Sequence, residues 1–196
     1  NVNAELAKLV GNAQGLYPLG YVPHNHHFLW FAASMEGASA IAKEAALQTA
    51  ERTNLQDLMR QPGFAGLQHY WMTPWFDRVR FGRWNEIAGQ PNPAPDLPYV
   101  TAIWHYAQGM AAVRQQRLDD AAEHHAALVK AAADPFMETL MVWDRYPLTH
   151  AVRIAERTVG AELAMSRGEN DAAIVALRET AQEEDRIPYD EPPGWH

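Results

Sequence analysis

The 196-residue sequence predicts an all-α fold, an array of about four antiparallel helical hairpins, on three observations. A helix-turn-helix signature recurs with variation as GASAIAKEAA at 37–46, GRWNEIA at 82–88, QRLDDAAEHHAAL at 116–128 and GENDAAIVAL at 168–177. Each copy follows an apolar helical stretch and a short turn, and one supersecondary unit repeated along a chain is the mark of stacked hairpins. Alternation of apolar and polar residues at strand period is sustained nowhere.

The elements follow in order. AELAKLVGNAQ at 4–14 predicts a short helix, and GLYPLGYVP at 15–23 predicts a loop because Gly and Pro punctuate it. A helix then begins near His24. Phe28, Leu29, Trp30, Phe31, Ala32, Ala33 and Met35 are dense enough to bury it on more than one side. Gly37 ends it, and 39–53 carries Ile41, Ala42, Ala45, Ala46 and Thr49 at helical spacing, small side chains that let two helices approach closely. LQDLMRQ at 55–61 predicts a short helical segment stopped by Pro62-Gly63. Residues 64–81 make the next helix, which Pro74 must kink or restart because proline has no N–H and crowds the preceding turn. Gly82 turns the chain into a short partner helix, cut off at about Gly89 by QPNPAPDLP at 90–98, a Pro-rich insert and linker candidate. A helix over 99–115, a turn at Gln116-Arg117 and an alanine-rich helix over 118–133 come next. Residues 134–147 are irregular around Pro135 and Pro147, and 148–166 with 169–185 close the array. The hairpins thus fall near 24–53, 64–89, 99–133 and 148–185, in one helical-repeat domain over 1–196.

Composition excludes several functions. With 16 basic against 24 acidic residues and a net charge of -8, the chain has no electrostatic footprint for nucleic acid. No window approaches 18 uninterrupted apolar residues, so no membrane insertion is expected. The absence of cysteine removes disulfides, iron–sulfur clusters and thiol nucleophiles, and it fits a cytoplasm or a periplasm equally. No nucleophile elbow or phosphate-cradling glycine loop is present, and no catalytic residue is assigned. The start at Asn1 rather than Met and the proline-rich IPYDEPPGWH ending read as a piece of a longer product.

The turn residues Gly82 and Gln116 are 34 apart, and the chain resembles the tetratricopeptide repeat family of 34-residue helical hairpins. Ala42, Ala121 and Ala173 match the family's small positions, each five residues after a turn residue. Gly109 and Ala161 stand seven residues before a turn, where the family's first helices are crowded, while Trp30 and Trp75 stand there in the first two hairpins. The intervals from Gly37 to Gly82 and from Gln116 to Gly168 exceed the period and require insertions. The stretches YVPHNHHFLWFAASMEG and YDEPPGW are similar to segments of uncharacterised bacterial tetratricopeptide proteins. The resemblance implies a right-handed α-solenoid that binds a protein or peptide along its concave face.

Two sets of candidate residues follow. In the family's register the groove stripe is Phe28, Phe31, Met72, Phe76, Ile103, Tyr106 and Met110, with Arg80 and Arg114 near the far rim. One repeat separates the two arginines, and together they would hold a carboxylate such as a peptide terminus presents. The alternative makes the stripe core and the arginines solvated.

Nine histidines are present, and three fall in one run as His24, His26 and His27. Counting 13 residues back from Gly37 and Gly82 places His24 and His69 at equivalent positions, with His27 a helical neighbour of the first. His24, His27 and His69 would then converge on zinc or copper. The alternative is imidazoles stacked on aromatics or bonded to local backbone, since no His-Glu-x-x-His pattern is present. His124 and His125 are expected at the surface or between helices. The expected function is therefore a peptide-binding scaffold, with a metal-binding subunit and a structural subunit docking on a larger polypeptide as the alternatives.

Overall fold

The computed structural model describes residues 20–190 and 192–195. The expected helix at 4–14 and the loop at 15–19 lie outside the described residues. Nine α-helices are found among the described residues: α1 (Val22–Glu36), α2 (Ser39–Thr53), α3 (Gly66–Trp71), α4 (Thr73–Arg80), α5 (Trp84–Ile87), α6 (Pro98–Arg114), α7 (Leu118–Ala132), α8 (Thr149–Ser166) and α9 (Asn170–Glu184). None is long and apolar enough to cross a membrane.

Four turns built on one plan join these helices where the sequence predicts them. Gly37, Gly82, Gln116 and Gly168 adopt positive φ of 74°, 63°, 59° and 79°. After each, the next N–H reaches back five residues: Ala38 to Ala33, Arg83 to Arg78, Arg117 to Ala112 and Glu169 to Ala164, at 2.8 to 2.9 Å. This is the Schellman closure, which satisfies carbonyls that the helix end leaves open. Gln116 is the one position of the four with a Cβ in the left-handed region, at a cost of about 1 kcal/mol. Gln116→Gly is accordingly expected to raise stability by about 0.5–1 kcal/mol, read from the urea midpoint at unchanged m-value.

Where the structure departs from the sequence reading, the cause is local. Helix α1 starts at Val22 rather than near His24, because Pro23 falls in its first turn, where a missing N–H costs nothing. Residues 55–61 form successive turns rather than a helix, since seven residues ahead of Pro62-Gly63 cannot repay helix nucleation. Met59 is nonetheless buried there, and its carbonyl accepts from Gln68 Nε2 at 2.8 Å.

Pro74 does split the second first-helix into α3 and α4. The Tyr70 carbonyl, which Pro74 cannot serve, is taken by the Thr73 hydroxyl at 2.6 Å. The insert at 90–98 packs onto α6 instead of swinging as a linker. Asn92 donates to Thr101 at 2.8 Å, Trp104 and Gln108 donate to the Gln90 carbonyl, and Ala94 and Leu97 are buried. Residues 134–147 hold a short 3-10 turn (Pro135–Thr139) and a small hairpin, β1 (Met141–Val142) paired antiparallel with β2 (Tyr146–Pro147).

The first helices pack side by side, α1 on α4, α4 on α6 and α6 on α8, with α2 and α7 against them. Gly109 of α6 is crowded as expected: a Cβ there would meet Val159 Cγ1 at 3.0 Å and His124 Cβ at 3.4 Å. At the equivalent place in the first hairpin Trp30 is fully buried, and its indole Nε1 donates to Asp77 Oδ1 at 3.3 Å. Asp77 also takes the Arg83 guanidinium. Burial pushes the Asp77 carboxyl up, opposed by Arg83 and by the Trp30 bond.

Candidate functional site

The first helices of three successive hairpins meet around one cavity of about 220 Å³, lined by Trp30 from α1, Phe76, Val79 and Arg80 from α4, and Tyr106 from α6. Phe76 and Tyr106 stand 6.3 Å apart between ring centroids, tilted by 45°. Burial, and after it the charge of Glu162, pushes the Tyr106 phenol well above its ordinary range, so it remains protonated. Arg80 lies exposed at the edge, its Nη2 3.9 Å from Met35 Sδ.

This face already carries a residue that the sequence reading did not consider. Trp195 packs on it edge to face, 5.4 Å from Phe76 and 5.2 Å from Tyr106, and is only 9% exposed.

Of the predicted groove residues, Phe76, Tyr106 and Arg80 are brought together and the others are not. Met72 and Ile103 are fully buried and Met110 nearly so, all within the core. Helix packing consumed this part of the stripe, because a helix wedged between two neighbours has only a narrow face left to offer. Phe31 is half-buried against the core, and Phe28 is exposed beside His24 at 6.3 Å. Arg114 is ion-paired with Glu162 of α8 at 2.6 Å, so its charge is already balanced and the expected two-arginine clamp reduces to Arg80.

The three expected metal ligands part company. His27 and His69 meet edge to face at 5.9 Å, but His27 stacks on Trp30 at 5.3 Å and leans on Tyr70 at 4.7 Å. His69 Nδ1 shares a 2.6 Å hydrogen bond with the Tyr99 hydroxyl. Complete burial lowers the His69 pKa to about 4 and raises that of Tyr99 well above its ordinary value, so a neutral imidazole faces a protonated phenol. His24 faces a different cavity. Among the described residues, no group of three or more His, Cys, Asp or Glu is arranged to hold an ion. His124 and His125 lie between helices: His124 Nδ1 is 2.9 Å from His105 Nδ1, and His125 Nε2 is 3.0 Å from Glu156.

The cavity beside His24 measures about 290 Å³ and is walled by Tyr21, Tyr70 and Trp143, with Arg145 and Asp190 at its rim. Trp143 and Asp144 form the β1–β2 turn with φ of 50° and 58°. Such turns favour Asn-Gly, so the Trp-Asp pair gave no turn signal in the sequence. The strained turn sets the Trp143 ring 6.1 Å from that of Tyr70.

At the other end, fully buried Glu183 of α9 gathers His150 at 2.8 Å, Arg157 at 3.1 Å and Arg186 at 2.7 Å. Burial pushes its carboxyl up, but the bonds from His150 and Arg157 and the nearby guanidinium charges hold it below the ordinary range. The group ties α8 to α9.

Comparison with protein-family models, with curated proteins and with solved structures gives no match.

Proposed function

We propose that this chain is a peptide-binding scaffold of the tetratricopeptide type, a right-handed stack of hairpins whose first helices present the binding face. The observation that carries the reading is the convergence of Trp30, Phe76, Arg80 and Tyr106, from three successive hairpins, on one cavity. Two tilted aromatic rings with a cationic edge provide apolar anchoring and one orienting charge, the combination that hot spots of peptide recognition use. The four repeated turns support the same architecture.

The test is a random peptide library panned against the whole chain. Enriched peptides are expected to lose about tenfold or more in affinity when Arg80→Glu or Tyr106→Ala is introduced, and to be unaffected by Ile174→Glu on the exposed face of α9. Peptides that bind both groove variants unchanged would overturn the reading.

A further inference from the structure

Three stretches of chain, the residues that open α1, helix α3 and the β1–β2 turn, enclose the cavity of about 290 Å³ beside His24. The backbone sets its largest wall. A Cβ at Gly66 of α3 would stand 3.6 Å from Trp143 Cε2 and 3.7 Å from Trp143 Cδ2, the two atoms of the bond that the indole rings share. Near-equal approach to both is approach on the ring face. One face of Trp143 therefore lies on α3, and the other is left to the cavity that the residue lines. Tyr70 stands one helical turn after Gly66, and its ring meets that of Trp143 at 6.1 Å and an open angle of 54°. Tyr21 adds a third ring at the mouth. Burial pushes the Tyr70 phenol up, so this wall stays uncharged at neutral pH.

The turn that delivers Trp143 is held against its own preference. Trp143 and Asp144 occupy left-handed φ at about 1–2 kcal/mol each. The indole nevertheless ends only half-buried, so core packing by itself does not account for the conformation. Arg145 follows, donating from Nη2 to the Tyr189 carbonyl at 2.7 Å and placing Nη1 3.5 Å from the Asp190 carboxylate. That spacing exceeds the roughly 2.7–2.9 Å of a closed charge-assisted bond, so the two charges adjoin without being locked together. Asp190 is also close enough to Tyr70 for its charge to raise that phenol further. The rim is thus a dipole with its anion on the side of the rings. A lone organic cation would meet Arg145 there and a lone anion would meet Asp190, whereas a molecule carrying both charges satisfies both.

We propose that this cavity binds a small zwitterion of the betaine class, its methylated ammonium against the Trp143, Tyr70 and Tyr21 rings and its carboxylate on Arg145. A methylated ammonium suits aromatic walls because it has no N–H to satisfy, and the negative faces of the rings attract its charge. A primary ammonium would need acceptors that three rings do not supply. The volume lies at the lower end of the range for small-molecule sites and selects a compact ligand. The site shares no lining residue with the peptide face.

The test is calorimetric titration of the whole chain with three compounds of nearly one shape. Glycine betaine carries both charges, choline carries the cation without the acid, and 3,3-dimethylbutanoate carries the acid with carbon in place of the ammonium nitrogen. Glycine betaine is expected to bind with a Kd of about 1 mM or below, and the other two at least about tenfold more weakly. Trp143→Leu is expected to weaken betaine binding at least about tenfold, and Arg145→Gln to bind betaine and choline alike. Arg80→Glu, in the other cavity, is expected to change nothing. No betaine binding by the unsubstituted chain overturns the proposal, as does dimethylbutanoate binding as tightly as betaine, which would mean that shape is recognised and charge is not. Unchanged betaine binding by a folded Trp143→Leu chain overturns it too. If that variant does not fold, Arg145→Gln decides, because its side chain is half-exposed and a retained preference for betaine over choline would remove the arginine from the site. None of these failures touches the peptide face, which is tested by its own variants.

Discussion

Trp30→Ala is expected to lower the free energy of unfolding by about 4 kcal/mol, the range for deleting a fully buried indole whose cavity cannot collapse. Two effects combine. The ring fills the space between α1 and α4, and its Nε1 is one of the two donors that compensate the buried Asp77 carboxylate. Trp30→Phe separates them, since it retains most of the volume and loses the hydrogen bond. Its loss is expected at about 1–2 kcal/mol, the cost of leaving a buried acceptor short of one partner. Urea unfolding of the two variants gives both numbers. A loss below about 1 kcal/mol for Trp30→Ala would show that the first hairpin is not docked on the second through this residue.

Acidification is expected to weaken the fold well before carboxylates titrate, with His69 as the main cause. Its folded pKa is about 4, against 6.5 for an exposed imidazole, so between those values the unfolded chain binds the extra proton. The contribution is complete above pH 6.5, declines as the pH falls, and is fully lost below about 4, a total of about 3 kcal/mol. His105, lowered to about 4 by burial and by His124 beside it, adds a smaller slope of the same sign because it is only half-buried.

Glu183 acts in a lower window. Its folded pKa lies below 4.5, so its contribution is present above that value and lost as the pH falls further. Asp77, with a raised pKa, opposes this trend in the acid range. His69→Asn keeps a polar atom near the Nδ1 position and removes the titration. It should therefore lower stability at neutral pH and flatten the profile between pH 6.5 and 4, and a profile identical to that of the unsubstituted chain would remove His69 as the cause. Chemical denaturation at half-unit pH intervals reads the effect directly.

The candidate face was partly legible in the sequence. Phe76, Arg80 and Tyr106 could be picked from their distance to the turns because helical register carries position forward over a few turns. The same rule failed for Met72, Ile103 and Met110, which share the stripe but point into the core. Periodicity identifies a face and is silent on whether a neighbouring helix covers it. It placed His69 beside His27 but not beside His24, because the equal counts of His24 and His69 back from Gly37 and Gly82 presumed unbroken helices, whereas Pro74 restarts the second one at α4. The pocket around Trp143 had no signal at all, because its turn uses residues that turn chemistry disfavours.

What the sequence alone determined is the helical character and the four turns at Gly37, Gly82, Gln116 and Gly168. These depend on interactions within about five residues: glycine's access to positive φ, the N–H that closes each helix end, and the proline that starts or stops a helix. Tertiary structure alone decided which aromatic residues remain at a surface, how Arg114 is neutralised by Glu162, and that Trp195 comes to rest on Phe76 and Tyr106. Those outcomes join residues far apart in the chain, and they turn on packing volume and charge balance, which no local pattern encodes.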